Sequence, residues 1–112
     1  NKLTSDIQNF NLLRQQIIQY PDLQIGGPST AWVSAALEEI EFQIGNEPPV
    51  TPALCFLGDK EEIIDNLAVR EFCKKWDSCD LISIPEAKHD LLMEKEMILH
   101  SLLLEMEKFI KK

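Results

Sequence analysis

The chain has 112 residues, 45% of them apolar, with 19 acidic and 11 basic side chains and a net charge of −8. That length makes one domain at most, with little stability to spare. The acidity favours solubility and argues against nucleic-acid partners, whose phosphates need Lys and Arg, and against electrostatic docking on anionic lipid.

The predicted elements begin with a helix over residues 5–20. Ser5-Asp6-Ile7-Gln8 has the capping-box pattern, Ile7, Phe10, Leu13 and Ile17 share a face, and Tyr20-Pro21 ends it. The loop with Gly26-Gly27-Pro28 follows, and Ser29 or Thr30 caps a second helix. Val33, Ala36, Leu37, Ile40 and Ile44 form its apolar stripe, and Gly45-Asn46 stops it. Glu47 to Pro52 carries three prolines and reads as a stiff connector. Ala53 to Leu57 is an unbroken apolar run, the pattern of a strand covered on both faces in a parallel sheet. An acidic loop over 58–65 leads to a third helix over 66–77, with Val69, Phe72, Cys73 and Trp76 on one side. Leu81 to Ile84 is a second short strand. A loop with His89 leads to a last helix over 94–111, with Leu99, Leu102, Leu103, Met106, Phe109 and Ile110 as its stripe. Glu94 and Glu96 at its start and Lys108, Lys111 and Lys112 at its end suit the helix dipole. Alternation of helix and strand from residue 30 onward predicts an α/β fold with a parallel sheet and right-handed crossovers.

Cys55, Cys73 and Cys79 are odd in number and lack C-x-x-C spacing. Cys55 lies in an apolar strand and Cys73 on an apolar helix face, so both are expected as buried thiols, which points to a reducing compartment. No apolar run approaches the length of a membrane span and no signal peptide is visible. The chain starts at Asn1 without a Met, which fits processing, proteolysis or a cloning boundary. Two separated histidines and no paired cysteines give no metal constellation, and no cofactor is expected.

The chemistry concentrates beyond the C-terminal ends of the two predicted strands, where parallel sheets gather ligands and catalysis. One loop offers Asp59, Glu61, Glu62 and Asp65, the other His89. A histidine there can act as general base when a carboxylate fixes its tautomer. Either loop alone is ordinary polar surface; their placement on consecutive strands strengthens the catalytic reading without displacing the structural one. The chain order acid then histidine is that of a Ser-His-acid hydrolase, in which the nucleophile comes first. No G-x-S-x-G is present: Gly27-Pro28-Ser29-Thr30-Ala31 comes nearest but follows no strand and reads as a helix cap. His100 lies mid-helix, away from the acidic loop, and reads as structural.

Several stretches together resemble one family. Ile25-Gly26-Gly27-Pro28-Ser29 followed by Trp32-Val33, Thr51-Pro52 before an apolar strand, Glu61-Glu62-Ile63-Ile64-Asp65-Asn66, and Ala87-Lys88-His89-Asp90 with Met93-Glu94-Lys95-Glu96 carry the likeness. The chain is similar to the C-terminal part of bacterial lysophospholipases of the L-two type, in the monoacylglycerol-lipase-like branch of the α/β-hydrolases. Leu3-Thr4-Ser5-Asp6 resembles the family's cap region, and Phe72-Cys73 matches the helix after the acid loop.

The resemblance implies a C-terminal fragment of an α/β-hydrolase fold: two parallel strands with flanking helices, plus the end of a helical cap. Residues 1–28 would be the end of the cap and residues 29–112 the C-terminal part of the core. It implies a serine esterase acting on lysophospholipids or monoacylglycerols, cytoplasmic or peripheral to the inner membrane through its cap. His89 would be the general base and Glu61 the triad acid, where most of the superfamily has Asp, with Asp65 as second choice. The serine and oxyanion donors belong to the family's front half, so the chain alone is expected to be inactive. In the family's sheet order one edge of the strand at 53–57 would be free, which predicts a homodimer or swapped assembly. The alternative is a non-catalytic α/β module whose cap helix and acidic surface serve a protein partner.

Overall fold

The computed structural model describes residues 1–111. Lys112, placed by the sequence at the basic end of the last helix, lies outside the described residues. Four helices, α1 (Ile7–Gln19), α2 (Thr30–Gly45), α3 (Asn66–Lys75) and α4 (Glu96–Ile110), accompany two strands, β1 (Ala53–Gly58) and β2 (Cys79–Ile84). Short 3₁₀ turns fill Pro21–Leu23 and Leu91–Met93.

The strands pair in parallel, in register from Ala53 opposite Cys79 to Gly58 opposite Ile84. α3 joins them, and β2 begins two residues earlier than the apolar run Leu81–Ile84 predicts. The added residues, Cys79 and Asp80, pair with Ala53 and Leu54, so partnership with β1 recruits them rather than their own hydropathy. The Trp76 indole N–H donates to the Thr51 carbonyl at 3.0 Å, and the Ser78 hydroxyl donates to the Val50 carbonyl at 3.0 Å. These bonds tie the proline-rich connector to the α3–β2 turn and set the strand register.

The core is small. Ile84, Ala87 and Leu102 are buried, with Phe56, Ile82, Leu91 and Ile98 packed around them. Leu57 and Cys73 are also buried. Phe72 and Trp76 on the α3 side meet edge to face, with ring centroids 6.3 Å apart. All three cysteines are free; Cys73 is buried, whereas Cys55 is half-buried. Burial pushes the Cys73 and Cys79 thiols up, Cys79 to about 11 with help from its neighbour Cys73.

Helix ends move by one or two residues from their predicted places. α1 starts at Ile7 with Asp6, not Ser5, as its cap, because the Asp6 carboxylate accepts from the Gln8 and Asn9 amides. α3 stops at Lys75. α4 starts at Glu96, which leaves Glu94 outside the helix; its carboxylate is buried among other partners and does not serve the helix dipole. Ser29 caps α2 as expected, accepting from the Trp32 amide at 3.2 Å.

The apolar stripe of α2 departs most from expectation. The helix forms, yet it buries no side chain, and Val33, Leu37, Ile40 and Ile44 are exposed together with Trp32 and Phe42. The radius of gyration is 16.4 Å, against about 13 Å for a compact domain of this length. The molecule measures 44 × 38 × 22 Å.

Candidate active site

Two loops leave the C-terminal ends of β1 and β2, and backbone bonds knit them together. The Asp59 amide donates to the Ile84 carbonyl at 3.1 Å and the Lys60 amide to the Ala87 carbonyl at 2.9 Å. Such close approach requires Gly58 at the end of β1. A Cβ there would lie 2.5 Å from the Lys88 carbonyl oxygen and 2.8 Å from the Ala87 carbonyl carbon. Glu86 makes the turn after β2 with a φ of 60°, a conformation uncommon for a residue with a side chain.

This knitting brings Glu61 to His89. Glu61 Oε2 lies 2.7 Å from His89 Nδ1. The other oxygen, Oε1, accepts from the Ile63 amide at 2.5 Å and the Ile64 amide at 3.4 Å. The Glu61 side chain is 3% exposed and that of His89 is 37% exposed. Burial pushes the Glu61 carboxyl up, but bonds from Ile63, His89 and Ile64 outweigh it and hold the group below the usual carboxylate range. An ionised carboxylate only accepts, so Nδ1 carries the proton. The neutral ring then keeps its lone pair on Nε2, available to take a proton.

The other candidates have different work. Asp65 caps α3, accepting from the Leu67 and Ala68 amides at 2.8 and 3.1 Å. Glu62 pairs with Lys2 at 3.9 Å, and Asp59 is exposed. Of these two carboxylates, Glu61 lies against His89 and Asp65 does not. His100 is exposed on α4. Among the described residues no group of His, Cys, Asp and Glu could hold a metal ion.

Sequence reasoning missed a second carboxylate beside this site. Glu94 is 1% exposed. Its Oε1 accepts from the amides of Ser5 and Lys88, each at 2.8 Å, and its Oε2 from the Ser5 hydroxyl. Burial pushes this carboxyl up, yet the Ser5 hydroxyl and the Lys88 and Ser5 amides outweigh it, so it too stays below the usual range. A faint signal was available: Lys95 makes a poor cap, so the start of the last helix was weakly defined.

No family model matches the chain. A structural comparison finds a soluble variant of monoglyceride lipase from Saccharomyces cerevisiae in complex with a substrate analog. It aligns with a TM-score of 0.51 and 17% identity over 55% of this chain and 22% of that one. The fold is that of a segment of an α/β-hydrolase. A curated relative, the probable lysophospholipase L2 of Haemophilus influenzae, is 28% identical over 91 residues. That match takes in 80% of this chain and 29% of the relative, so the chain spans under a third of the relative's length. The likeness to lysophospholipases read from the motifs is borne out by the curated relative, and the α/β-hydrolase fold by the structural comparison.

Proposed function

We propose that this segment supplies the histidine and acid of a Ser-His-acid esterase acting on acyl esters of lysophospholipids or monoacylglycerols. The observation that carries the reading is the Glu61–His89 pair, 2.7 Å apart beyond the ends of two parallel strands. The substrate class rests on the names of the two similar proteins. In this mechanism Nε2 of His89 takes the proton of a serine hydroxyl as the oxygen attacks the ester carbonyl. Glu61 stabilises the imidazolium, which then protonates the departing alcohol. Water repeats the cycle on the acyl-enzyme.

The 112 residues contain no G-x-S-x-G, so the serine and oxyanion donors come from elsewhere in the enzyme and the isolated chain is inactive. Residues 1–28 form the end of the cap and 29–112 belong to the core. Among the described residues no helix is long and apolar enough to cross a membrane. The likeness to lysophospholipases supports an enzyme that is cytoplasmic or peripheral to the inner membrane. The isolated chain closes its two-stranded sheet through homodimerisation or strand exchange.

The test pairs the upstream reading frame with an esterase assay. A G-x-S-x-G between strand and helix upstream of Asn1 is expected, with the 112-residue chain silent towards a short-chain p-nitrophenyl ester. Hydrolysis by the verified chain, abolished by His89→Ala, would overturn the inactive-segment reading. The second reading is a non-catalytic interaction module, favoured by the exposed apolar face of α2; a frame without the serine motif selects it.

A further inference from the structure

His89 is bracketed on both sides by backbone bonds. The amide before it, Lys88 N–H, donates to Glu94 Oε1 at 2.8 Å. The amide after it, Asp90 N–H, donates to the Leu3 carbonyl at 2.7 Å. Both acceptors belong to one unit. Glu94 also receives the Ser5 amide and hydroxyl. The Thr4 hydroxyl donates to the Met93 carbonyl at 2.7 Å, and the Asn9 amide group donates there at 3.1 Å. Lys88 Nζ donates to the Asn1 carbonyl at 2.6 Å. Thr4 and Glu94 are the largest fully buried side chains among the described residues. A buried carboxylate is costly unless its lone pairs are satisfied, and here they are met by groups 89 and 6 residues away in sequence.

We propose that Glu94 is a positioning residue for His89, and that with the N-terminal segment Asn1–Ser5 it forms a brace that fixes the imidazole against Glu61. The proposal rests on the triad reading for its catalytic meaning, though not for its geometry. Catalytic constellations tolerate only about 0.5 Å of misplacement, and His89, with its side chain 37% exposed, is not held by burial. Its position therefore depends on its backbone. The brace also links the stretch assigned to the cap with the catalytic histidine, so displacement of residues 1–5 is felt at His89.

The test is proton and nitrogen NMR of the 112-residue chain, which reads the Glu61–His89 bond directly and needs no ester hydrolysis. The wild-type chain is expected to show a low-field proton on the His89 ring nitrogen facing Glu61, lost in Glu61→Ala. Glu94→Ala is expected to lose that signal while circular dichroism still reports the helices and Phe72 and Trp76 keep their dispersed resonances. Glu94→Gln, which keeps an acceptor for the Ser5 and Lys88 amides, is expected to restore it. Should Glu94→Ala fail to fold, Ser5→Ala, which removes one donor to Glu94, decides by weakening the signal or leaving it unchanged. An unchanged signal in a folded Glu94→Ala or in Ser5→Ala overturns the brace, as does a wild-type chain lacking the low-field proton. The triad reading fails separately, by esterase activity that is indifferent to His89.

Discussion

Glu61 divides its carboxylate between the backbone and His89: one oxygen takes the Ile63 amide at 2.5 Å, the other lies 2.7 Å from the ring nitrogen Nδ1. The backbone bonds to the other oxygen hold the long arm of Glu61 in place against His89. They also keep the carboxylate ionised, and so keep the imidazole in the tautomer that a general base requires.

Asp65 separates structure from chemistry. Its carboxylate caps α3, so Asp65→Ala is expected to cost about 1 kcal/mol of stability. Ester hydrolysis by the complete enzyme should stay near wild type. Urea melts and steady-state kinetics check the two arms, and a collapse of activity with little loss of stability would contradict the assignment.

Gly58 is the point where the two loops touch. Gly58→Ala forces a methyl against the Ala87 and Lys88 carbonyls. A cost of about 1–3 kcal/mol is expected, as for overpacking elsewhere, measured by urea unfolding. The strain falls on backbone that no side-chain rotation relieves, so the Glu61–His89 spacing is expected to suffer too.

Acid should loosen the molecule through Glu94 and Glu61. Both carboxyls sit below their ordinary value of 4.5 in the folded chain. A depressed carboxyl adds stability that is complete above its unfolded value and is lost as pH falls through its folded value. Thermal melts are therefore expected to show stability falling below about pH 4.5, with Glu94→Gln flattening part of that limb.

The thiols of Cys73 and Cys79 should resist alkylation. Cys79 is pushed up to about 11 and Cys73 is raised by burial. At pH 8 only about one Cys79 in a thousand is thiolate. Iodoacetamide is expected to label both slowly in the folded chain and quickly in urea, followed by mass spectrometry; equal rates would contradict the packing.

Much of this arrangement was legible in the sequence because it rests on local rules. The apolar run Ala53–Leu57 gave a strand, Ser29 gave a cap, and the loops after the two strands offered His89 and four carboxylates, among which the family resemblance singled out Glu61. Two features were not legible. The partners of Glu94 are Ser5, 89 residues away, and Lys88; the poor cap Lys95 hints at a late helix start, but not at a buried carboxylate. The stripe of α2 has correct helical periodicity, which reports the helix but not what covers it, and its residues stay exposed. Asp65 stood second to Glu61 because both are carboxylates of one loop, and it is the cap of α3 and the contact with His89 that separate them.

In the proposed function His89, oriented by Glu61, is the general base of an acyl-ester hydrolase. The most direct measurement is kcat/KM of the complete enzyme on a monoacylglycerol, for wild type, His89→Ala and Glu61→Ala. A fall of about 10⁴-fold or more is expected for each, with little further loss in the double variant, because triad members act as a unit. Activity within a few-fold of wild type in His89→Ala would contradict the account.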